Sequence, residues 1–427
     1  MNETTSSELP KGIALTPFND AFKTAPSTVL SAARNRCPAY YDEEFGRYVV
    51  LGHDDVRDAL RDKAFFMDIR KANDGSFPKR FPEFVVADES SMLSLDDPDH
   101  KRLRALVSKA FTPKAVEAMR PRSRAIAEEL LNAIGDDQEV DIIDAFAAPF
   151  PTMVICDMLG VSRDYRHDFK RWSDTSIRGF FNIMASDEEK QLAIDANENL
   201  RELFYLEIAA RRKQPGDDLI SGMVLAQEAG EMLTDDEIVT QCNLLLVAGN
   251  VTVTDMLGNA ILRLLENPDQ LSLLRAKPKL LPNAVEEALR YDPPVDATSR
   301  IPNRDIRPSG CPIKHGEYLH LSIYSANHDP SAHPEPDRFN IEREDLTHLS
   351  FGGGSHFCLG SSLARIEGQE ALRALLARFP NFGMATKGFQ VAMTPQFRGI
   401  ESLWIEPLDK PATVKQAQQA QQAELAH

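Results

Sequence analysis

Phe351-Gly352-Gly353-Gly354-Ser355-His356-Phe357-Cys358-Leu359-Gly360, running directly into SSLARIEGQEALRALLARF (361–379), is the most informative stretch of this chain. Three successive glycines let the backbone take positive φ and approach a flat ligand closely. Cys358 then falls at the start of a helix, where free N–H groups and the helix dipole lower a thiol pKa. A thiolate ringed by backbone donors is a strong, soft iron ligand. A lone cysteine is ordinarily a buried small hydrophobe. The glycine-rich approach sets this one apart.

Outward from that loop, the 427 residues hold 48 Lys+Arg against 65 Asp+Glu, a net charge of −17. That balance argues against a nucleic-acid footprint, which needs clustered positive charge. A composition of 42% hydrophobic and 26% charged residues is that of a globular protein rather than a disordered one. No period recurs, so repeat architectures are excluded. Cys37, Cys156, Cys242, Cys311 and Cys358 are too far apart for a paired-cysteine metal motif and suit a reducing cytosol. Residues 1–20 lack the basic and apolar regions of a secretory signal. No unbroken apolar run of ~18 residues marks a membrane span. The expected location is cytoplasmic, with neither nucleic acid nor membrane as partner.

The patterning predicts a mainly α fold with a small β-rich lobe. Residues 1–20 read as a flexible leader, 21–409 as one domain, and 410–427 (KPATVKQAQQAQQAELAH) as a polar tail. Ala39–Tyr41 and Tyr48–Leu51 flank the turn Asp42–Gly46 as a hairpin. Further strand pieces lie near Ile313–Ile323, Gly388–Met393 and Leu403–Ile405. Amphipathic helical patterns cover 100–135, 160–212, 236–266, 270–291 and 360–379. Residues 66–92 show no clean period. A loop that long is a candidate wall of a ligand site.

The cysteine loop fits F-x-x-G-x-H/R-x-C-x-G through Phe351, Gly354, His356, Cys358 and Gly360, and in this it resembles the cytochrome P450 family in its soluble bacterial form. The resemblance implies haem b, with Cys358 as the iron ligand and Phe351, Gly352 and Gly360 shaping its bed. Other motifs occur in family order. In Pro282–Tyr291 (PNAVEEALRY), Glu287 and Arg290 are three apart and share a helix face, which alone reads as a surface ion pair. The resemblance implies instead a structural triad, completed by Arg338 of Pro336-Asp337-Arg338-Phe339. In Leu95–Arg104, His100 and Arg104 are four apart on one face. The resemblance implies that they reach the haem propionates together with Arg300 and His356. Buried carboxylates need such paired charge.

Thr234-Asp235-Asp236-Glu237 is a capping box opening a helix of ~30 residues, ~45 Å long, that ends at Asn267-Pro268. Its middle, Leu245 to Asp255, resembles the family's [A/G]-G-x-[D/E]-T-[T/S] segment over the haem. The resemblance places Ala248 against the haem, Gly249 as space for a ligand, and Thr252 as the alcohol that steadies dioxygen, with Asn250 and Val251 between them. Val251 is a departure, because the family usually has Asp or Glu there. Oxygen cleavage needs two protons, and Val has none to pass. Either Asn250, Asp255 or a chain of waters then substitutes, or turnover is slow, or the oxidant is peroxide. Retention of Thr252 favours water-assisted oxygenation.

By position in the resembled fold, Leu245, Val247, Ala248, Val295, Ala297 and Phe397 line the substrate pocket, with Thr298, Gln396 and the 66–94 segment around them. This apolar lining suits a small to medium hydrophobic molecule. The chain has no flavin or iron–sulfur segment, so electrons are expected from a ferredoxin or flavodoxin with an NAD(P)H reductase. Lys101, Arg102, Lys109 and Lys114 form a candidate basic docking patch. The reading is a haem-thiolate monooxygenase that hydroxylates or epoxidises its substrate. A peroxide-driven peroxygenase and a non-catalytic haem-binding sensor are the alternatives.

Overall fold

The computed structural model describes residues 8–82, 91–135, 139–181, 185–228, 233–394 and 397–408. The predicted tail, the first seven residues, 83–90 of the long loop and Gln396 lie outside the described residues. Among the described residues there are eight strands: β1 (Ala39–Asp42), β2 (Arg47–Val50), β3 (Phe65–Phe66), β4 (Val140–Asp141), β5 (Ala297–Pro302), β6 (Leu319–Ser322), β7 (Phe382–Val391) and β8 (Ile400–Pro407). One sheet runs β1-β2-β6-β5-β3, with only β2 and β6 parallel, and a second runs β4-β8-β7. The hairpin falls where it was expected. Its corner is held by Asp42, which accepts from Arg47 Nε and from the backbone N–H of Gly12, each at 3.1 Å.

That last bond corrects the flexible leader. Gly12, Leu15, Thr16 and Pro17 of the predicted leader are buried, and Leu15 packs with Phe22, just beyond it, against Tyr40, Val49, Leu51 and Tyr324. Two apolar side chains find a dry surface there, which outweighs the polar character of the segment.

The helices that build the site are α1 (His53–Arg61), α2 (Asp99–Ser108), α3 (Pro113–Asn132), α4 (Pro149–Leu159), α5 (Arg166–Phe181), α6 (Asp187–Lys213), α7 (Asp235–Glu266), α8 (Leu281–Tyr291) and α9 (Ser361–Arg378). Three predicted helical stretches are divided. Thr112 accepts from Ala115 N at 3.3 Å and Pro113 takes the first helical position, which separates α2 from α3. A capping box of Ser186 and Glu189 starts α6 afresh. A helix at Pro268–Ala276 precedes α8, with Pro278 between them and Pro282 in the first turn of α8. The expected capping box of Thr234 and Glu237 opens α7, whose 32 residues form the spine of the core against α4, α8 and α9. Among the described residues only α7 is long and apolar enough to cross a membrane, and 67% of that window is buried inside the fold.

Behind the core, Glu287 and Arg290 are fully buried and joined by a two-pronged bridge at 2.8 and 2.9 Å. The third member is Arg343, not Arg338. Arg343 Nε lies 3.2 Å from Glu287 Oε2, while the Arg338 guanidinium is 60% exposed and meets Glu335 at 3.5 Å. The reason is local. Phe339 buries its ring and Asn340 N donates to Glu287 at 2.8 Å, so Arg338, one residue earlier, faces out.

Candidate active site

The cysteine loop is built on two glycines with positive φ, Gly352 at 68° and Gly354 at 66°. A Cβ at Gly354 would stand 2.6 Å from the carbonyl oxygen of Leu60 on α1, so only glycine fits that approach. Cys358 N donates to Phe351 O at 2.9 Å and closes the loop, and α9 begins three residues later. Burial pushes the Cys358 thiol up; the N–H groups of Gly360 and Ser361 and the guanidinium groups of Arg104 and Arg365 pull it down. Burial wins, against the expectation that the helix start would lower the thiol. A thiolate here needs a cation placed directly on the sulfur.

Four predicted donors gather near this loop. The rings of His100 and His356 lie 4.1 Å apart. Arg104 Nη2 donates to Phe357 O at 2.5 Å, and the buried Arg300 donates to Met67 Sδ and Ser299 O, both at 2.7 Å. His100 Nδ1 faces Asp97 at 3.2 Å, while its Nε2 is buried with no partner. Burial, then the nearby His100, Arg300 and Arg104, lowers His356 to about 3; burial likewise lowers Arg300 to about 10 and depresses Arg104. Two guanidinium groups, the neutral His356 and the unpartnered His100 Nε2 thus form a cluster of donors short of an anion. Partly buried carboxylates would complete it.

Among the described residues no group of three His, Cys, Asp or Glu side chains is placed to hold a bare metal ion. A porphyrin would bring the iron's remaining ligands with it, and its two propionates would supply anions for this cluster. The residues present fit haem b. Cys358 would hold the iron, and His100, Arg104, Arg300 and His356 the propionates.

Midway along α7 the burial pattern breaks. Ala248 is exposed and Val247, Val251 and Thr252 are partly so, although Ile238–Cys242 before them and Asp255–Leu262 after them are buried. Thr252 Oγ1 donates to Ala248 O at 2.7 Å, one turn back, the kind of back-bond that bends a helix. Two residues of this segment do not face the gap. A Cβ at Gly249 would meet Ile155 Cδ1 of α4 at 2.8 Å, so Gly249 permits helix packing rather than a ligand. Asn250 is buried and donates to Thr152 Oγ1, and its Oδ1 accepts from Thr254 at 3.4 Å. Those bonds commit it to α4. Asp255 is buried against the chain before β8, its carboxyl filling the space where Gly399 lacks a side chain, and burial raises it to about 8. It therefore carries a proton at neutral pH.

Of the predicted pocket residues, Val295 and Phe397 pair as an isolated bridge, and Arg398 N donates to Pro294 O at 2.8 Å, which ties the two walls together. Ala297 opens β5, Leu245 is buried, and Val247 is half-buried. On the basic patch, Lys101, Lys109 and Lys114 are exposed, but Arg102 binds Glu237 at 2.5 Å at the start of α7. Sequence reasoning missed Met67 and Asp96, which lie beside Arg300, as well as Arg343. No local motif marks Met67.

The family model for Cytochrome P450 matches residues 46–277 and 272–386. Cytochrome P450 107B1 of Saccharopolyspora erythraea is 39% identical over 372 residues, covering 84% of this chain and 89% of the relative. The 6-deoxyerythronolide B hydroxylase of the same organism is 38% identical, covering 83% and 89%. The solved structure of CYP109E1 from Bacillus megaterium in complex with corticosterone is 35% identical, covers 90% of this chain and 98% of its own, and superposes with a TM-score of 0.81.

Proposed function

This chain belongs to the cytochrome P450 family, and from that premise we propose that it is an O2-dependent monooxygenase acting on a small to medium hydrophobic molecule in the cytosol. A haem bound through Cys358 supplies the activation of dioxygen and the transfer of one oxygen atom. The protein's own residues do the rest. His100, Arg104, Arg300 and His356 orient the propionates. Thr252 presents a hydroxyl at the exposed break in α7, and the apolar residues around it exclude water and hold the substrate. That break, with Thr252 and Ala248 side by side in it, is the observation that carries oxygenation.

Electrons come from an external ferredoxin or flavodoxin and its NAD(P)H reductase, with Lys101, Lys109 and Lys114 available to attract an acidic partner. Protons arrive by water. Asn250 is tied to Thr152, and Val251 has none to give. The solved CYP109E1 relatives are described in complex with corticosterone and testosterone, which makes steroids a sensible first library. The test is a spin-state screen of hydrophobic compounds, followed by turnover under 18O2 with NAD(P)H, ferredoxin and reductase. One labelled oxygen atom in the product supports the proposal; label from water, or none, defeats it. Val251 favours a second reading, peroxide-driven oxygenation, in which hydrogen peroxide alone supports faster turnover than the full electron-transfer chain.

A further inference from the structure

On the cysteine side of the site, a second charged cluster lies outside the propionate set. Arg365, on the second turn of α9, binds Glu286 of α8 through both prongs, at 2.6 and 2.9 Å. His348 Nε2 lies 3.2 Å from the same carboxylate, and Ser350 N donates to His348 Nδ1 at 3.2 Å. The imidazole therefore carries its proton on Nε2 and donates it to Glu286. Burial would raise Glu286, but its bonds from His348 and Arg365 win and hold it at about 2, so it stays ionised. Thus clamped, the Arg365 guanidinium lies 4.5 Å over the ring of Phe351, whose carbonyl accepts from Cys358 N. The Phe351 ring also has His348 at 5.6 Å.

The geometry marks this as more than a surface ion pair. The cation is fixed by a carboxylate and an aromatic face together, which removes the freedom that makes exposed pairs weak. That face belongs to Phe351, the residue whose carbonyl accepts from Cys358 N, so the fixed charge sits directly against the cysteine loop.

We propose that Arg365, held in place by Glu286 and His348, is a positioning residue that sets the reduction potential at Cys358 by placing a fixed positive charge behind the Phe351 ring. The proposal rests on Cys358 being the haem ligand. A positive charge near the iron favours uptake of the single electron delivered by the external donor, and Glu286 partly offsets it. Charge and mere bracing make opposite forecasts. If the charge acts, Arg365→Gln moves the midpoint potential down, Glu286→Gln moves it up, the double variant returns near wild type, and Arg365→Lys keeps the wild-type value. If the cluster only braces the loop, both single variants move the potential the same way and lysine does not rescue.

The experiment is a dithionite titration of the haem-loaded wild type and its four variants followed by absorbance, at low and high salt. Opposite shifts that shrink with salt support the proposal, because Arg365 and Glu286 are only partly buried. Shifts of one sign, or none, overturn it. Should Arg365→Gln fail to retain haem, Glu286→Gln must still raise the potential, and a fall or no change there overturns it equally. A wild-type protein without the thiolate-type Soret band in its reduced carbon monoxide adduct would instead refute the ligand assignment.

Discussion

Replacing Arg343 by alanine should destabilise the protein far more than replacing Arg338. The Arg343 side chain is 10% exposed and makes contacts on both ends of its fork. Nε reaches both oxygens of the fully buried Glu287, at 3.4 and 3.2 Å. The terminal nitrogens donate to the carbonyls of Pro334, Glu335 and Arg338 at 2.7 to 3.1 Å. Removing one partner of a buried pair costs ~3–5 kcal/mol. Glu287 keeps Arg290, so the charge term is smaller here, but three carbonyls also lose donors at roughly 0.5–1.5 kcal/mol each. A loss of about 3 kcal/mol is expected. Arg338, exposed with one 3.5 Å contact to Glu335, should cost no more than ~0.5 kcal/mol. A cofactor protein of this size need not unfold in two states, so urea midpoints by circular dichroism and haem release by Soret absorbance are the quantities to compare. Arg343→Lys keeps the charge but not the fork and should fall between. If Arg338→Ala lowers the midpoint as much as Arg343→Ala, the assignment of the triad is wrong.

Cys358→Ser should abolish the thiolate-type Soret shift of the reduced carbon monoxide adduct, and its survival would show that another side chain holds the iron. Val251→Asp should raise turnover with NAD(P)H and redox proteins while leaving peroxide-driven turnover unchanged; equal rates before and after would mean that water already delivers protons fast enough. His328 and His333 are buried and lowered to about 4, mainly by burial, against ~6.5 in the unfolded chain. The unfolded state then binds protons that the folded state refuses, so stability is full above ~6.5 and drains away as pH falls toward about 4, by up to ~3 kcal/mol per imidazole. His333→Phe should flatten part of that decline in urea midpoints measured between neutral pH and about pH 4.5, and parallel curves for the two proteins would count against it.

Much of this site was legible because its chemistry is local. Gly352, Gly354 and Cys358 lie within seven residues, and what they do depends on backbone conformation that glycine announces. The capping box of Thr234 and Glu237 is equally self-contained. What the sequence hid depends on which way a side chain turns after folding. Arg338 and Arg343 are both arginines in the same loop, and only the burial of Phe339 decides that the first points out. Gly249 and Asn250 sit beside Thr252 in a motif, yet α4 claims both, and no local spacing tells where a neighbouring helix will pack. Part of the flexible leader failed for a similar reason: Leu15 looks isolated until the hairpin supplies a surface for it.

The distribution of charge links folding to cofactor. The chain is acidic overall, at −17, yet it concentrates His100, Arg104, Arg300 and His356 around one buried space. The carboxylates nearby are few: Asp97 takes one nitrogen of His100, and Asp96 lies near Arg300. The depressed values of Arg300, Arg104 and His356 record the cost of holding these groups there without an anion. Such a cluster opposes folding until two carboxylates enter it, after which the same desolvation strengthens each bond. Whatever binds only the folded state adds to its stability in proportion to its affinity. Haem would therefore do more than complete a catalyst. Its propionates would satisfy an electrostatic demand built into α2, β5 and the cysteine loop, three distant parts of the chain that bring these four donors together.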